Sequence, residues 1–248
     1  MVQILKSNYK IKMKNKKVLV IGAGSYSKKD SAIKGIGTCL VERLAKERNL
    51  SVLFTYYQSQ EGAEKLIDGV KAERPSFEID CFRFNSLDYK LDWDNLESKL
   101  TKFGTPDVFV YNAGLRVYKK SLTEEEKEAT MKVNYSCPVF LIEKIGMKMH
   151  REGIKGKIVL TSSVLAGKHH PFLEDYCLSK SLLEKYVQEN TEIWKSRGIN
   201  IKFVSPNLTK TPMIEELIDF YEEEVKQGKR PKIVSPEEIA EEITNLFV

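Results

Sequence analysis

Six short apolar runs, "KKVLVIG", "LSVLFTYY", "IDCFRF", "PDVFVYNAG", "GKIVLTSS" and "INIKFVSP", punctuate the chain, and a stretch with helical spacing follows each. Strands this apolar are buried on both faces, and strict alternation of strand with helix implies a parallel sheet covered by helices on each side. The pattern predicts a doubly wound α/β fold, a three-layer α/β/α sandwich, with its ligand crevice at the carboxyl ends of the strands.

At 248 residues the alternation is unbroken enough to predict one domain over residues 16–248. The preceding "MVQILKSNYKIKMKN" is basic and lacks a signal-peptide apolar core, so residues 1–15 are expected to form a flexible arm, with Met13 as an alternative start. Cys39, Cys81, Cys137 and Cys177 stand singly, without the paired spacings of zinc or redox sites, and read as buried thiols of a cytoplasmic protein. No run is long and apolar enough to span a membrane. The net charge of +5 comes from lysines spread along the whole chain, and no nucleic-acid-binding motif accompanies it. Neither a membrane nor nucleic acid is expected as a partner.

Between the runs, Thr123 stands three residues before Glu126, a capping-box pattern that predicts a long helix reaching about His150. Gly104 reads as the terminator of the helix "WDNLESKLTKF". Residues 208–236 form a long stretch without a strand after the last apolar run; "MIEELIDFYEEEVKQG" predicts a helix there, placed where a lid over a substrate would lie.

"YCLSK" sets Tyr176 and Lys180 four residues apart, on one face of a helix. Ser163 ends a buried strand thirteen residues earlier, Asn134 falls within the long preceding helix, and "YNAG" at 111–114 closes the fourth strand. Together with the glycine-rich turn after the first strand and "SPNLTKTPM", these motifs resemble the short-chain dehydrogenase/reductase family, over roughly residues 16–212. "YNAG" stands for the family's N-N-A-G, "YCLSK" for Y-x-x-x-K and "SPNLTKTPM" for P-G-x-x-x-T.

The resemblance implies a Rossmann fold and a catalytic tetrad of Asn134, Ser163, Tyr176 and Lys180. A phenol titrates at about 10 in water, so Tyr176 needs a nearby cation to exchange protons at neutral pH, and Lys180 one turn away would supply it. Ser163 would hydrogen-bond a carbonyl oxygen as charge develops on it. Asn134 would hold a water linking Lys180 to solvent. His169 and His170 sit in a loop at the cleft rim, as substrate contacts or exposed residues. His150 ends a helix, where a cation suits the dipole.

In most members the glycine turn is compact. Here Gly22 and Gly35 lie thirteen apart, so about nine residues, most of "SYSKKDSAI" at 25–33, are inserted. Gly22 and Gly24 still leave the strand, and Gly35, Ile36 and Gly37 open a helix whose amino end would face a pyrophosphate. Enoyl-ACP reductases have a similarly long loop but space tyrosine and lysine seven apart. Halohydrin dehalogenase relatives replace the lysine with arginine, and pteridine reductases carry aspartate at the Ser163 position. The chain is therefore most similar to β-ketoacyl-ACP reductases and their small-molecule relatives, with an NADPH-dependent carbonyl reductase as the implied activity.

The second strand ends near Tyr56 with no acid before Glu61, and Lys34 falls where NADP-dependent members carry a base; Lys28 and Lys29 would add to it. NADP(H) is thus expected over NAD(H). Asn85 would bond the adenine, while Asn112, Ala113, Gly114, Pro206 and Thr211 would line the cofactor, with Thr211 on the carboxamide. Tyr111 and Asn207 depart from the family pattern, and at Asn207 the expectation is a positive φ in place of glycine. The substrate class implied is a small ketone or an acyl thioester, and no metal is called for. Because the sequence stops where many members continue into a packing tail, a homodimer is as expected as a homotetramer. The competing expectations are an NADP-sensing protein with little turnover and an enoyl-reductase-like enzyme.

Overall fold

The computed structural model describes residues 15–247; all of the expected arm but Asn15 lies outside them. β1 (Lys16–Ile21) leads through the glycine turn into α1 (Ile36–Leu44), β2 (Leu50–Tyr56) into α2 (Gln60–Glu73), β3 (Glu78–Arg83) into α3 (Trp93–Phe103) and β4 (Val108–Tyr111) into α4 (Glu124–Met131). A π-helical turn (Lys132–Ser136) joins α4 to α5 (Cys137–Arg151), and β5 (Lys157–Thr161) runs to α6 (Glu174–Ser196). After β6 (Asn200–Val204) come a 3-10 helix (Pro212–Leu217), α7 (Ile218–Lys226) and α8 (Pro236–Asn245).

The strands form one sheet in the order β3-β2-β1-β4-β5-β6, every pair parallel. Side chains alternate between its faces. Val18, Val20, Val52, Phe54 and Val110 pack with Leu40 of α1, Leu66 of α2 and Ile243 of α8. Leu19, Ile21, Phe109 and Leu160 meet Leu100 of α3, Leu141 of α5 and Trp194 of α6. A slip of one residue in any strand would exchange these two sets, so the double burial fixes the register. It also fixes where the strands end: Ile21 lies opposite both Thr55 and Tyr111, putting the carboxyl ends of β1, β2 and β4 side by side. The strand order reverses between β1 and β4, and a crevice opens there.

The capping box at Thr123 is present, with both reciprocal hydrogen bonds, and Gly104 ends α3 at φ 93°. The long helix expected from Thr123 to His150 is interrupted by the π turn. Its cause is Pro138: a proline ring collides with the carbonyl four residues back, that of Asn134, and offers no N–H. The helix widens, so that Cys137 N–H reaches the carbonyl of Lys132. That leaves the Val133 carbonyl without a helical donor, and the Tyr111 hydroxyl donates to it at 2.7 Å. The tyrosine in "YNAG" thus supports the turn that carries Asn134.

Residues 208–236 also differ from the single helix expected, forming the 3-10 helix and α7 with a kink at Ile214. The segment is tied at its base, where Val234 N–H donates to Leu208 O and Lys210 N–H to Val234 O, both at 2.9 Å. All four cysteines are free thiols, three buried and Cys81 partly so. Among the described residues no helix is long and apolar enough to cross a membrane.

Candidate active site

A cleft of about 550 Å³ runs along the carboxyl ends of the strands, from the glycine turn to the segment at 208–236. Ser163, Tyr176 and Lys180 line it, together with Gly22, Gly35, Ile36, Tyr56, Asn112, Ala113, Gly114, Pro206 and Thr211. Five of the residues singled out from sequence stand back from it, Asn134 among them. Gly24 packs against Ala63, Gly37 against Gly22, Asn85 bonds Asp88 at 2.7 Å, and Lys34 ion-pairs with Glu42 at 2.8 Å.

Lys180 is buried, and its ammonium donates to the Thr161 carbonyl at 2.8 Å. Burial pushes its pKa down to about 8, against a small upward pull from Glu184. Tyr176 is held above the usual phenol value by burial, while the Ser163 hydroxyl and the Arg116 guanidinium pull it down. Arg116 is thus a second cation beside the phenol, one the sequence did not single out. Lys180 Nζ lies 5.8 Å from the Tyr176 ring centroid while donating to the Thr161 carbonyl.

Asn134 does not face the cleft. Its side chain clamps the chain after "YNAG", accepting from Leu115 N–H at 2.8 Å and donating to Leu115 O at 2.8 Å and to Ser179 Oγ at 3.0 Å. A second string of bonds crosses the strand ends: Thr161 Oγ1 donates to Asn112 Oδ1 at 3.2 Å, and Asn112 Nδ2 to Gly22 O at 2.7 Å. With Lys180 on the Thr161 carbonyl, this string runs from the lysine to the glycine turn.

The insertion leaves and re-enters that turn at one point. Gly35 N–H donates to Ser25 O at 2.9 Å, and Thr38 Oγ1 accepts from Ser25 N–H at 3.0 Å, so the base is pinched shut. Above it Tyr26 pairs antiparallel with Lys34. The insertion then reaches the 208–236 segment: the Ser27 hydroxyl and, at 3.1 Å, the Lys29 N–H both donate to the Glu215 carboxylate. Ile33 packs on the apolar cluster of Ile214, Ile218 and Tyr221.

The turn fits an anionic group. Gly22 at φ 90° starts it, a conformation open to glycine at no steric cost. The N-cap of α1, Gly35, has no side-chain cap, its first turn holds no acid, and the N–H groups of Ile36 and Gly37 find no acceptor among the described residues. Buried amides rarely stay unpaired, and at a helix amino end they suit phosphate. Further along, the Ser162 hydroxyl is buried, lines the cleft and has no partner among the described residues. Residues 16–222 match the short chain dehydrogenase family model. The chain is a member of the short-chain dehydrogenase/reductase family.

Relatives within this oxidoreductase family include glucose 1-dehydrogenase 2 of Bacillus subtilis, 27% identical over 84% of this chain and 81% of that one. The 3-oxoacyl-(acyl-carrier-protein) reductase of Staphylococcus epidermidis is 26% identical over 83% and 80%. Among solved structures, a 3-oxoacyl-(acyl-carrier protein) reductase from Brucella melitensis in complex with NAD shares the fold, with a TM-score of 0.79, 22% identity and coverage of 94% and 90%. The family binds nicotinamide dinucleotides, and the cleft of this short-chain dehydrogenase/reductase has the amide edge for one.

Sequence reasoning missed several residues of the cleft. Ser162 adjoins Ser163 and was readable from "TSS" as a second hydroxyl at the strand end. Arg116, two residues beyond Gly114, and Arg230, in the 208–236 segment, gave no motif signal. Asn207, expected at positive φ, does not adopt it: Asn49 is the one non-glycine residue with positive φ among the described residues. Its carboxamide oxygen accepts from Leu208 N–H at 2.8 Å instead, so the turn is stabilised by a side-chain bond.

Proposed function

We propose that this short-chain dehydrogenase/reductase reduces the carbonyl of a small ketone or acyl thioester with NADPH. The observation that carries the proposal is convergence: Ser163, Tyr176 and Lys180 line one cleft whose far end is an unpaired amide edge at α1. When bound, the dinucleotide supplies the hydride. Ser163 and Tyr176 hold the carbonyl oxygen between their hydroxyls, and Tyr176 gives it the proton as negative charge builds there. Lys180, still largely protonated at neutral pH, stabilises the tyrosinate that remains. Asn134 fixes the loop that closes this end of the cleft by clamping Leu115.

NADPH over NADH rests on two features. Among the described residues no Asp or Glu lines the cleft, so none at the end of β2 would repel a 2′-phosphate. Arg83, at the end of β3, stacks over the Tyr57 ring that borders the cleft, 4.9 Å from its centroid, and takes the role expected of Lys34. Fluorescence titration with each cofactor tests this: NADPH binds more tightly, and Arg83→Ala narrows the gap. Tyr176→Phe tests the chemistry. It lowers carbonyl reduction by about 10²–10⁴-fold with NADPH binding kept, the usual contribution of a positioned acid; an unchanged rate would remove Tyr176 from the mechanism.

A further inference from the structure

The substrate end of the cleft carries a charge that the chain itself leaves unanswered. Among the described residues three cationic side chains other than histidine line the cleft, Arg116, Lys180 and Arg230, and no Asp or Glu does. Two of the three are engaged: Lys180 donates to the Thr161 carbonyl, and Arg230 pairs with Glu224 at 2.8 Å while lying over the Tyr221 ring. Among the described residues, the arginine ion pairs are Arg43 with Glu241 and Arg230 with Glu224; Arg116 has none, although it is half-buried.

Nor is Arg116 loosely placed. Asn134 holds both backbone groups of the preceding Leu115, and the guanidinium lies over the Tyr118 ring, 4.9 Å from its centroid. Tyr118 in turn stacks on Phe172 at 5.2 Å, and Lys119 N–H donates to Phe172 O at 3.0 Å, tying this loop to the one before α6. A planar fork of donors fixed on an aromatic face loses little freedom when it binds an oxyanion bidentately. Its charge pulls the Tyr176 phenol downward.

We propose that Arg116 is a substrate-recognition residue, and that the carbonyl compound this enzyme reduces carries a carboxylate close to the reacting carbonyl. One unpaired guanidinium suits a singly charged carboxylate; a phosphate dianion would call for a second free cation, and the other two are engaged. The inference rests on the carbonyl-reducing site proposed above.

The test measures kcat/KM with NADPH for 2-oxo, 3-oxo and 4-oxo acids, each beside its methyl ester, and for dihydroxyacetone phosphate. The expected result is that one acid exceeds its ester by about tenfold to a hundredfold, the range for a charge-assisted hydrogen-bonded pair. In Arg116→Gln that ratio collapses towards one, and Arg116→Lys restores part of it. A purely structural role for Arg116 would lower acid and ester together, keeping the ratio and overturning the proposal, as would esters matching acids in the unmodified enzyme. Preference for dihydroxyacetone phosphate over every acid overturns the carboxylate assignment. Turnover of none of these compounds counts against carbonyl reduction itself, and the anion site is then judged by calorimetry with the 3-oxo acid. Saturable binding lost in Arg116→Gln upholds it, and absence of binding overturns it.

Discussion

Gly37 is the position where the smallest side chain added should do the most damage to cofactor binding. A Cβ there would stand 2.0 Å from the Gly22 carbonyl oxygen and 2.7 Å from Asn112 Nδ2. Ordinary contact begins at 3.4 Å, so backbone must move, and the backbone in question is the turn and the first turn of α1. Overpacking of this kind costs about 1–3 kcal/mol in stability. For a chain this long each kcal/mol lowers Tm by roughly 2–4 °C. The displaced amides of Ile36 and Gly37 lose their aim as well, and a loss of about 1.4 kcal/mol there raises the Kd for NADPH tenfold. Gly69→Ala is the matched control: it lies inside α2 with nothing within 4 Å of the added Cβ. Replacing a mid-helix glycine should stabilise by about 0.5–1 kcal/mol and leave binding alone. Differential scanning fluorimetry and NADPH fluorescence titration on both variants decide the matter. A Gly37→Ala protein with unchanged Tm and unchanged Kd would refute the close packing of α1 on the turn.

Tyr111→Phe removes the donor to the Val133 carbonyl and leaves that buried group unsatisfied, so chemical denaturation should show a loss of about 1–3 kcal/mol; a variant as stable as the parent would mean the π turn needs no such support. Glu215→Ala cuts the insertion from the 208–236 segment, and stopped-flow displacement should show NADPH leaving severalfold faster with little change in Tm, whereas an unchanged off-rate would show that the contact does not hold that segment over the cleft. With Lys180 depressed to about 8, the charge that stabilises the tyrosinate is present below that value and lost above it, so kcat/KM for reduction should fall as pH rises through about 8. A profile flat from pH 6 to about 9.5 would contradict the buried position of Lys180.

The strand pattern carried the fold because burial on both faces leaves a plain trace: "VLVI" of β1 and "VFVY" of β4 are apolar at every position. Local chemistry was equally legible at Thr123 and Gly104, where caps depend on neighbours only three or four residues away. Tyr176 and Lys180 were brought to one helix face by spacing alone. What escaped notice depends on distance along the chain. Lys34 reads as a phosphate ligand until Glu42, one face of α1 away, claims its ammonium. The bond from Ser27 to Glu215 joins residues 188 apart, which no local pattern records. The π turn does leave a local trace, since Pro138 stands inside an otherwise helical stretch, but the periodicity on either side of it runs on unbroken.

The string from Lys180 through Thr161 and Asn112 to Gly22 has a consequence for how such a loop could be lengthened at all. It braces the strand ends from beneath, on the sheet side, and touches the chain around the insertion only at Gly22, before the extra residues begin. The spacing between the glycine turn and Lys180 is therefore set by the scaffold, and residues 25–33 are free to take on another task without retuning it. Loop length and chemical geometry are separable variables in this protein, and a graft that shortens or replaces the insertion above the pinched base of Ser25 and Gly35 should keep the second while altering the first.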